Sequence, residues 1–151
     1  MERPEGSDGK IPGHLTTAQG SAPTVAIVGG TASSAMVAGM LCQQFGCNPV
    51  SAPTGEAVLG LLRSDARVDL VLIDLSVADM EGIVAVQLIR ALGNRGSLPV
   101  VAVVADKTQV ISNRGRGAGF SAAIVKPYSP RELFVAMQSA LTRAAQRALH
   151  A

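Results

Sequence analysis

Residues 68–75, VDLVLIDL, decide how the chain is read. The run is aliphatic, short, and lacks the polar alternation of a half-exposed strand. That is the pattern of a strand buried on both faces of a parallel sheet. Asp74 near its end is the anomaly. A carboxylate that closes an aliphatic strand is unfavourable unless it is solvated, paired or used.

Working outward, TVAIV (24–28), LPVVAVV (98–104) and AAIV (122–125) repeat the buried-strand pattern, and NPVSA (48–52) is a weaker, edge-like strand because it contains Pro49. Helical periods lie between them. One spans 31–45, with Met36, Met40 and Leu41 as inward positions and Gly46 as its stop. A second spans 55–64, with Val58, Leu61 and Leu62 inward. A third spans 82–92, with Val84, Leu88 and Leu92 on one stripe. A fourth, 107–118, is weakened by Gly115 and Gly117. The last opens with a capping box, Ser129 at the N-cap, Pro130 at N1 and Glu132 at N3, and runs to about Arg147 with Leu133, Met137, Leu141 and Ala144 inward. The alternation predicts a (βα)5 chain: an α/β domain with one doubly wound, parallel, five-stranded sheet. Chemistry in such a domain sits at the carboxyl ends of the strands. Those ends are Gly29-Gly30, Asp74-Leu75-Ser76, Val104-Ala105-Asp106 and Lys126-Pro127.

The 151 residues fit one domain, 24–147, preceded by a Gly/Pro/Ser/Thr-rich stretch, 1–23, expected to be a flexible tail, and followed by a short tail, 148–151. Apolar residues are 48% and charged residues 16% against roughly 25% in a typical soluble domain, so a large aliphatic core is expected. The formal charge of +2 is no polybasic footprint, and 3% aromatics offer no stacking platform, so nucleic-acid binding has no support. No apolar run is long enough to span a membrane, and the charged N-terminus is not a secretory signal. Cys42 and Cys47 form neither a zinc site nor a disulfide framework by themselves, Cys42 reads as a core residue, and a reduced, cytoplasmic setting is expected. From spacing alone, Asp74 and Lys126 can face one another across a cleft, either as a structural salt bridge or as a working pair.

Three stretches carry a resemblance. LIDLSVADMEG (72–82) resembles the segment around the phosphoacceptor aspartate of response-regulator receiver domains, with Asp74, Met80 and Gly82 matching and Ala78 in place of the usual proline. LPVVAVVA (98–105) resembles that family's fourth strand, and AGFSAAIVKPYSPREL (118–133) resembles its fifth strand, Lys-Pro pair and final helix start. The resemblance covers residues 24–146 and implies a CheY-like, flavodoxin-like fold. It implies that Asp74 is the phosphoacceptor candidate and that Lys126 stabilises the phosphoryl group. It also exposes departures. The acidic pair that holds Mg²⁺ is replaced by Gly29 and Gly30, the switch hydroxyl by Val104, and the toggling aromatic by Ala123. Asp74 and the carbonyl of Ser76 remain as weak metal-ligand candidates.

The resulting expectation is an atypical, degenerate receiver domain without catalytic residues of its own. It would act as a single-domain interaction module in a two-component phosphorelay, with weak or absent Mg²⁺-dependent phosphorylation and no cofactor. Its partner would be a histidine kinase or another signalling protein, and the chain a monomer or homodimer. Docking would use the first helix, or the face of the fourth helix, fifth strand and last helix, where Arg114 and Arg116 lie. The first alternative is a functional phosphoacceptor at Asp74, with Mg²⁺. The second is a small-molecule or nucleotide binder at the Gly29-Gly30 turn.

Overall fold

The computed structural model describes residues 13–76, 79–105 and 119–149. The sheet is five-stranded with order β2-β1-β3-β4-β5. The strands are β1 (Thr24–Val28), β2 (Asn48–Ala52), β3 (Leu70–Asp74), β4 (Val100–Val104) and β5 (Ala122–Val125), all parallel. The helices are α1 (Ala32–Gln44), α2 (Gly55–Arg63), α3 (Gly82–Ala91) and α4 (Pro130–Leu149), with a short 3-10 turn at Gly93–Arg95. The doubly wound expectation therefore holds, with β2, the strand containing Pro49, at one edge. The expected helix at 107–118, and Asp106, Arg114 and Arg116 with it, lie outside the described residues.

Alternate side chains of β1, β3 and β4 feed two separate cores, which is why these strand sequences are almost continuously apolar. Val71, Ile73, Val100, Ala102 and Val104 pack beneath α2 and α3. Leu70, Leu72, Val101 and Val103 pack beneath α1 and α4, where Phe45 and Phe134 meet edge-to-face at 5.2 Å. The capping box of α4 forms in full: Glu132 N–H donates to Ser129 Oγ at 3.0 Å, and Ser129 N–H donates to Glu132 Oε1 at 2.7 Å. The helix extends to Leu149, past the expected Arg147.

Two helix faces are corrected. In α1 the inward positions are Ala38 and Cys42, while Met36 and Met40 are 65% and 53% exposed. The face is turned by two residues, roughly 200° around the axis. In α3 Ala85, Val86 and Ile89 are buried, and Val84 and Leu88 look outward. The reason is the same in both cases. ASSAMVAGMLCQQ has no charged residue and GIVAVQLIRA has one, so little marks the outer side and packing against the strands chooses it.

The N-terminal boundary is also corrected, because packed chain begins before Thr24. Leu15 is 3% exposed within the α1–α4 core, and its N–H donates to Phe45 O at 2.8 Å. A turn from Thr17 to Ser21 closes through Thr17 N–H to Ser21 O at 2.9 Å. Arg67 then ties Ser21 (2.6 Å) to Asp69 (2.9 Å). One leucine and a satisfied turn suffice to anchor this segment, although its average composition is that of a tail.

Guanidiniums elsewhere at this amino-end pole bind backbone carbonyls. Arg90 donates to Gly119 O (2.7 Å) and Leu98 O (2.7 Å), and Arg95 donates to Ala66 O (2.9 Å). These bonds hold loops in place and leave the opposite pole, at the carboxyl ends, as the place for chemistry.

Candidate functional site

Asp74 is the last residue of the central strand, 9% exposed. The β1–β3 register pairs Val28 with Ile73, so Gly29 and Gly30 emerge beside Asp74. Lys126 follows β5, and its N–H donates to Val104 O at 2.9 Å, which fixes its backbone to the end of β4. From there the side chain crosses the end of β4, and Nζ lies 2.6 Å from Asp74 Oδ2. The other carboxylate oxygen, Oδ1, accepts from Ser76 N–H at 2.9 Å and Ser76 Oγ at 2.5 Å. Both oxygens of the one carboxylate are thus engaged.

Burial pushes the Asp74 carboxyl up, but the bonds from Lys126 and Ser76 outweigh it and hold the group below the ordinary value of 3.8. A depressed folded value contributes stability that is fully present above 3.8 and is lost as pH falls through the lower, folded value. Carboxyl-detected NMR should show Asp74 titrating below 3.8, and Lys126→Met should move it upward because burial is then opposed by Ser76 alone. An ordinary or raised value in the unmodified chain contradicts the pairing.

Gly29 (φ +76°) and Gly30 (φ +79°) both lie in the left-handed region, which side-chain-bearing residues adopt at a penalty. A Cβ on Gly30 would stand 2.7 Å from Ser34 Oγ and 3.2 Å from Asp74 Oδ2. Ser34 is therefore a neighbour of the site that sequence reasoning missed. It belongs to the capping box of α1, with Ser34 N–H donating to Thr31 Oγ1 at 3.0 Å and Thr31 N–H to Ser34 Oγ at 3.0 Å. The Thr-x-x-Ser spacing after the two glycines was the available signal. Tyr128 was missed as well. It lines, with Gly29, Ser34, Asp74 and Lys126, a cavity of about 50 Å³, and burial followed by the nearby Cys42 and Asp74 raises its phenol.

Val104 is 1% exposed, so the position holds a packed methyl pair and no hydroxyl. Ala123 is exposed on the outer edge of β5. It borders, with Arg131, Glu132 and Val135, a groove of about 620 Å³ between β5 and α4, the described part of the expected docking face.

The donor set does not fit a magnesium ion well. Mg²⁺ takes hard oxygen ligands near octahedral geometry. Among the described residues the strand ends supply one carboxylate, already bonded to an ammonium, and no group of three or more His, Cys, Asp or Glu stands together. The Gly29-Gly30 turn opens on a groove of about 510 Å³ shared with Thr31, Met36, Gly39 and Pro49. None of the residues lining it is charged, so a nucleotide phosphate would meet no cation there.

A five-stranded parallel sheet with an aspartate and a lysine joined across its carboxyl end defines a class of α/β domain. The chain belongs to the response regulator receiver domain family, whose model matches residues 25–138. It is similar to the Transcriptional regulatory protein ResD of Bacillus subtilis (strain 168), 32% identical over 82 residues, which cover 54% of this chain and 33% of that protein. It is also similar to the "Probable histidine kinase 4" of Oryza sativa subsp. japonica, 25% identical over 125 residues, covering 70% of this chain and 12% of that protein. The chain thus spans a third or less of the length of these relatives. In fold it is similar to a CheY-like response regulator receiver domain protein from Methanospirillum hungatei JF-1, with a TM-score of 0.75 and 22% identity over 84% of this chain and 99% of that one. Cys42 and Cys47 are buried, and burial pushes their thiols up to about 12 and about 11, so they behave as core residues. No helix among the described residues is long and apolar enough to cross a membrane.

Proposed function

We propose that the chain is an atypical receiver domain that serves two-component signalling as a protein-interaction module, with Mg²⁺-dependent phosphorylation of Asp74 weak or absent. The observation that carries this is the Lys126 Nζ at 2.6 Å on Asp74 Oδ2, beside a double-glycine turn that offers no side-chain oxygen. A transferring phosphoryl group needs its charge neutralised while it is in flight. Here Lys126 is the one cation at the carboxylate among the described residues, and it is engaged with the acceptor oxygen itself. The partners are a histidine kinase or another signalling protein in the cytoplasm, engaged through the β5–α4 groove or the uncharged outer face of α1. The chain works as a monomer or homodimer without a cofactor.

A second reading has one observation in its favour. Asp74 faces a small cavity together with Lys126 and the Ser34 side chain, an arrangement that could hold an acyl phosphate once formed. Incubation with acetyl phosphate, or with a phosphorylated histidine kinase, read by intact mass with and without Mg²⁺, separates the two. The expected result is no stoichiometric phosphoryl adduct. A complete, Mg²⁺-dependent adduct that disappears in Asp74→Asn overturns the proposal in favour of a working phosphoacceptor.

A further inference from the structure

Asp79 follows Asp74 by five residues, on the loop between β3 and α3. Its carboxylate is bound to a different element. Oδ1 accepts from Gly55 N–H at 2.8 Å, and Oδ2 accepts from Glu56 N–H at 3.0 Å. These are the first two amides of α2, which no carbonyl inside that helix can satisfy. The chain's own cap, Thr54 Oγ1, takes the next amide, Ala57 N–H, at 3.0 Å. One helix start is therefore capped twice, locally by Thr54 and across the fold by the loop that follows the central strand. Negative charge at that position is favoured by the helix dipole. The bonds from Glu56 and Gly55 hold the Asp79 carboxyl below its ordinary value.

Steric contacts reinforce the connection. A Cβ on Gly55 would lie 2.6 Å from Met80 Sδ, so Met80 rests directly on the first turn of α2. A Cβ on Gly82 would lie 2.6 Å from Leu75 Cα, which closes the far end of the loop onto its near end. The near end holds the site through the two bonds from Ser76 to Asp74 Oδ1. The loop thus grips the Asp74 carboxylate with Ser76 and grips α2 with Asp79 and Met80. At the end of β4, by contrast, the Val104 side chain has no polar atom to offer, and its carbonyl accepts from Lys126 N–H at 2.9 Å.

The geometry points to Asp79 as a positioning residue, a clamp that couples the loop after Asp74 to the start of α2, so that a change of charge at the Asp74–Lys126 pair is read out on α2. This rests on the reading of Asp74 as the group that receives the signal. It does not require that the signal be a phosphoryl group.

The test uses the full chain labelled with ¹⁵N. Amide protons bonded to a carboxylate resonate downfield, so Gly55 and Glu56 report the clamp directly. Asp79→Ala is expected to abolish that shift in both amides while amides of α4 stay in place. Asp74→Asn, which removes charge but keeps shape, is expected to move the Gly55 and Glu56 resonances when Asp79 is present and to leave them still in the Asp79→Ala background. Lys126→Met supplies an independent charge change should Asp74→Asn fold poorly. The coupling is overturned if neither substitution moves the two amides with Asp79 present, or if they move equally without it; Asp79 is then a helix cap alone. Because no phosphodonor is used, failure of the phosphorylation experiment and failure of the clamp are separate results.

Discussion

Replacing Gly30 with aspartate is expected to destabilise the domain by about 2–5 kcal/mol and not to create a cation site. The position adjoins Asp74, so a carboxylate here is the substitution that the family resemblance invites. The backbone opposes it. At φ +79° a side-chain-bearing residue is strained, and the new Cβ would meet Ser34 Oγ at 2.7 Å. Ser34 cannot withdraw without giving up its bonds to Thr31 N–H and Thr31 O, both 3.0 Å, which cap α1. The added charge would also face Asp74 Oδ2 and raise the Asp74 pKa by like-charge repulsion. Asp74 then loses part of the stability that its depressed value contributes above 3.8, so the substitution weakens the fold at neutral pH as well. Urea unfolding at neutral pH measures the loss, and Gly30→Ala separates backbone strain from charge. A Gly30→Asp chain that is as stable as the original, and whose melting temperature rises with added Mg²⁺, would show that the turn can be rebuilt as a metal site.

The second large effect is expected at the opposite pole. Leu15→Ala should lower the unfolding free energy by about 2–5 kcal/mol, the range for a leucine removed from a packed core. Leu15 lies in the same core as Phe45, Cys42 and Phe134, and its N–H satisfies the carbonyl of Phe45, the residue that ends α1. Starting the chain at Thr24 should be at least as damaging, since it also removes the Ser21 partner of Arg67 and the Pro23 carbonyl that accepts from Asn48 N–H at 2.8 Å. Circular dichroism melts of both variants are the measurement. Unchanged stability in both would return residues 13–23 to the role of a tail. The acidic site should be unaffected either way, because the two poles are separated by the length of the strands.

The pairing of Asp74 with Lys126 and the clamp at Asp79 differ in what they ask of the fold. Asp74 ends β3 and Lys126 follows β5, the two strands that flank β4, and register alone brings them close. Asp79 reaches α2 only because the loop after β3 folds over Gly55, where the lack of a side chain admits Met80. A side chain at Gly55 would meet the Met80 thioether at 2.6 Å, so Met80 would have to move off the helix start.

The architecture was readable from the chain because β1, β3, β4 and β5 are largely aliphatic runs and the last helix start carries its own chemistry. Ser129 and Glu132 form the cap their spacing announces. Asp74 could be singled out because a carboxylate is conspicuous at the end of LVLID, and Lys126 because it follows another apolar strand, just before Pro127. Other features left no such mark. The inward faces of α1 and α3 were set by packing, since helices nearly free of charge look alike from every side. Leu15 was hidden in a stretch whose average is polar. Ser34, Tyr128 and the bond from Asp79 to α2 depend on which loops meet in space. Local patterns report what a segment needs to bury and where it must stop; which partners satisfy its remaining hydrogen-bonding groups is settled when distant segments pack, and that is where the candidate site and its link to α2 arise.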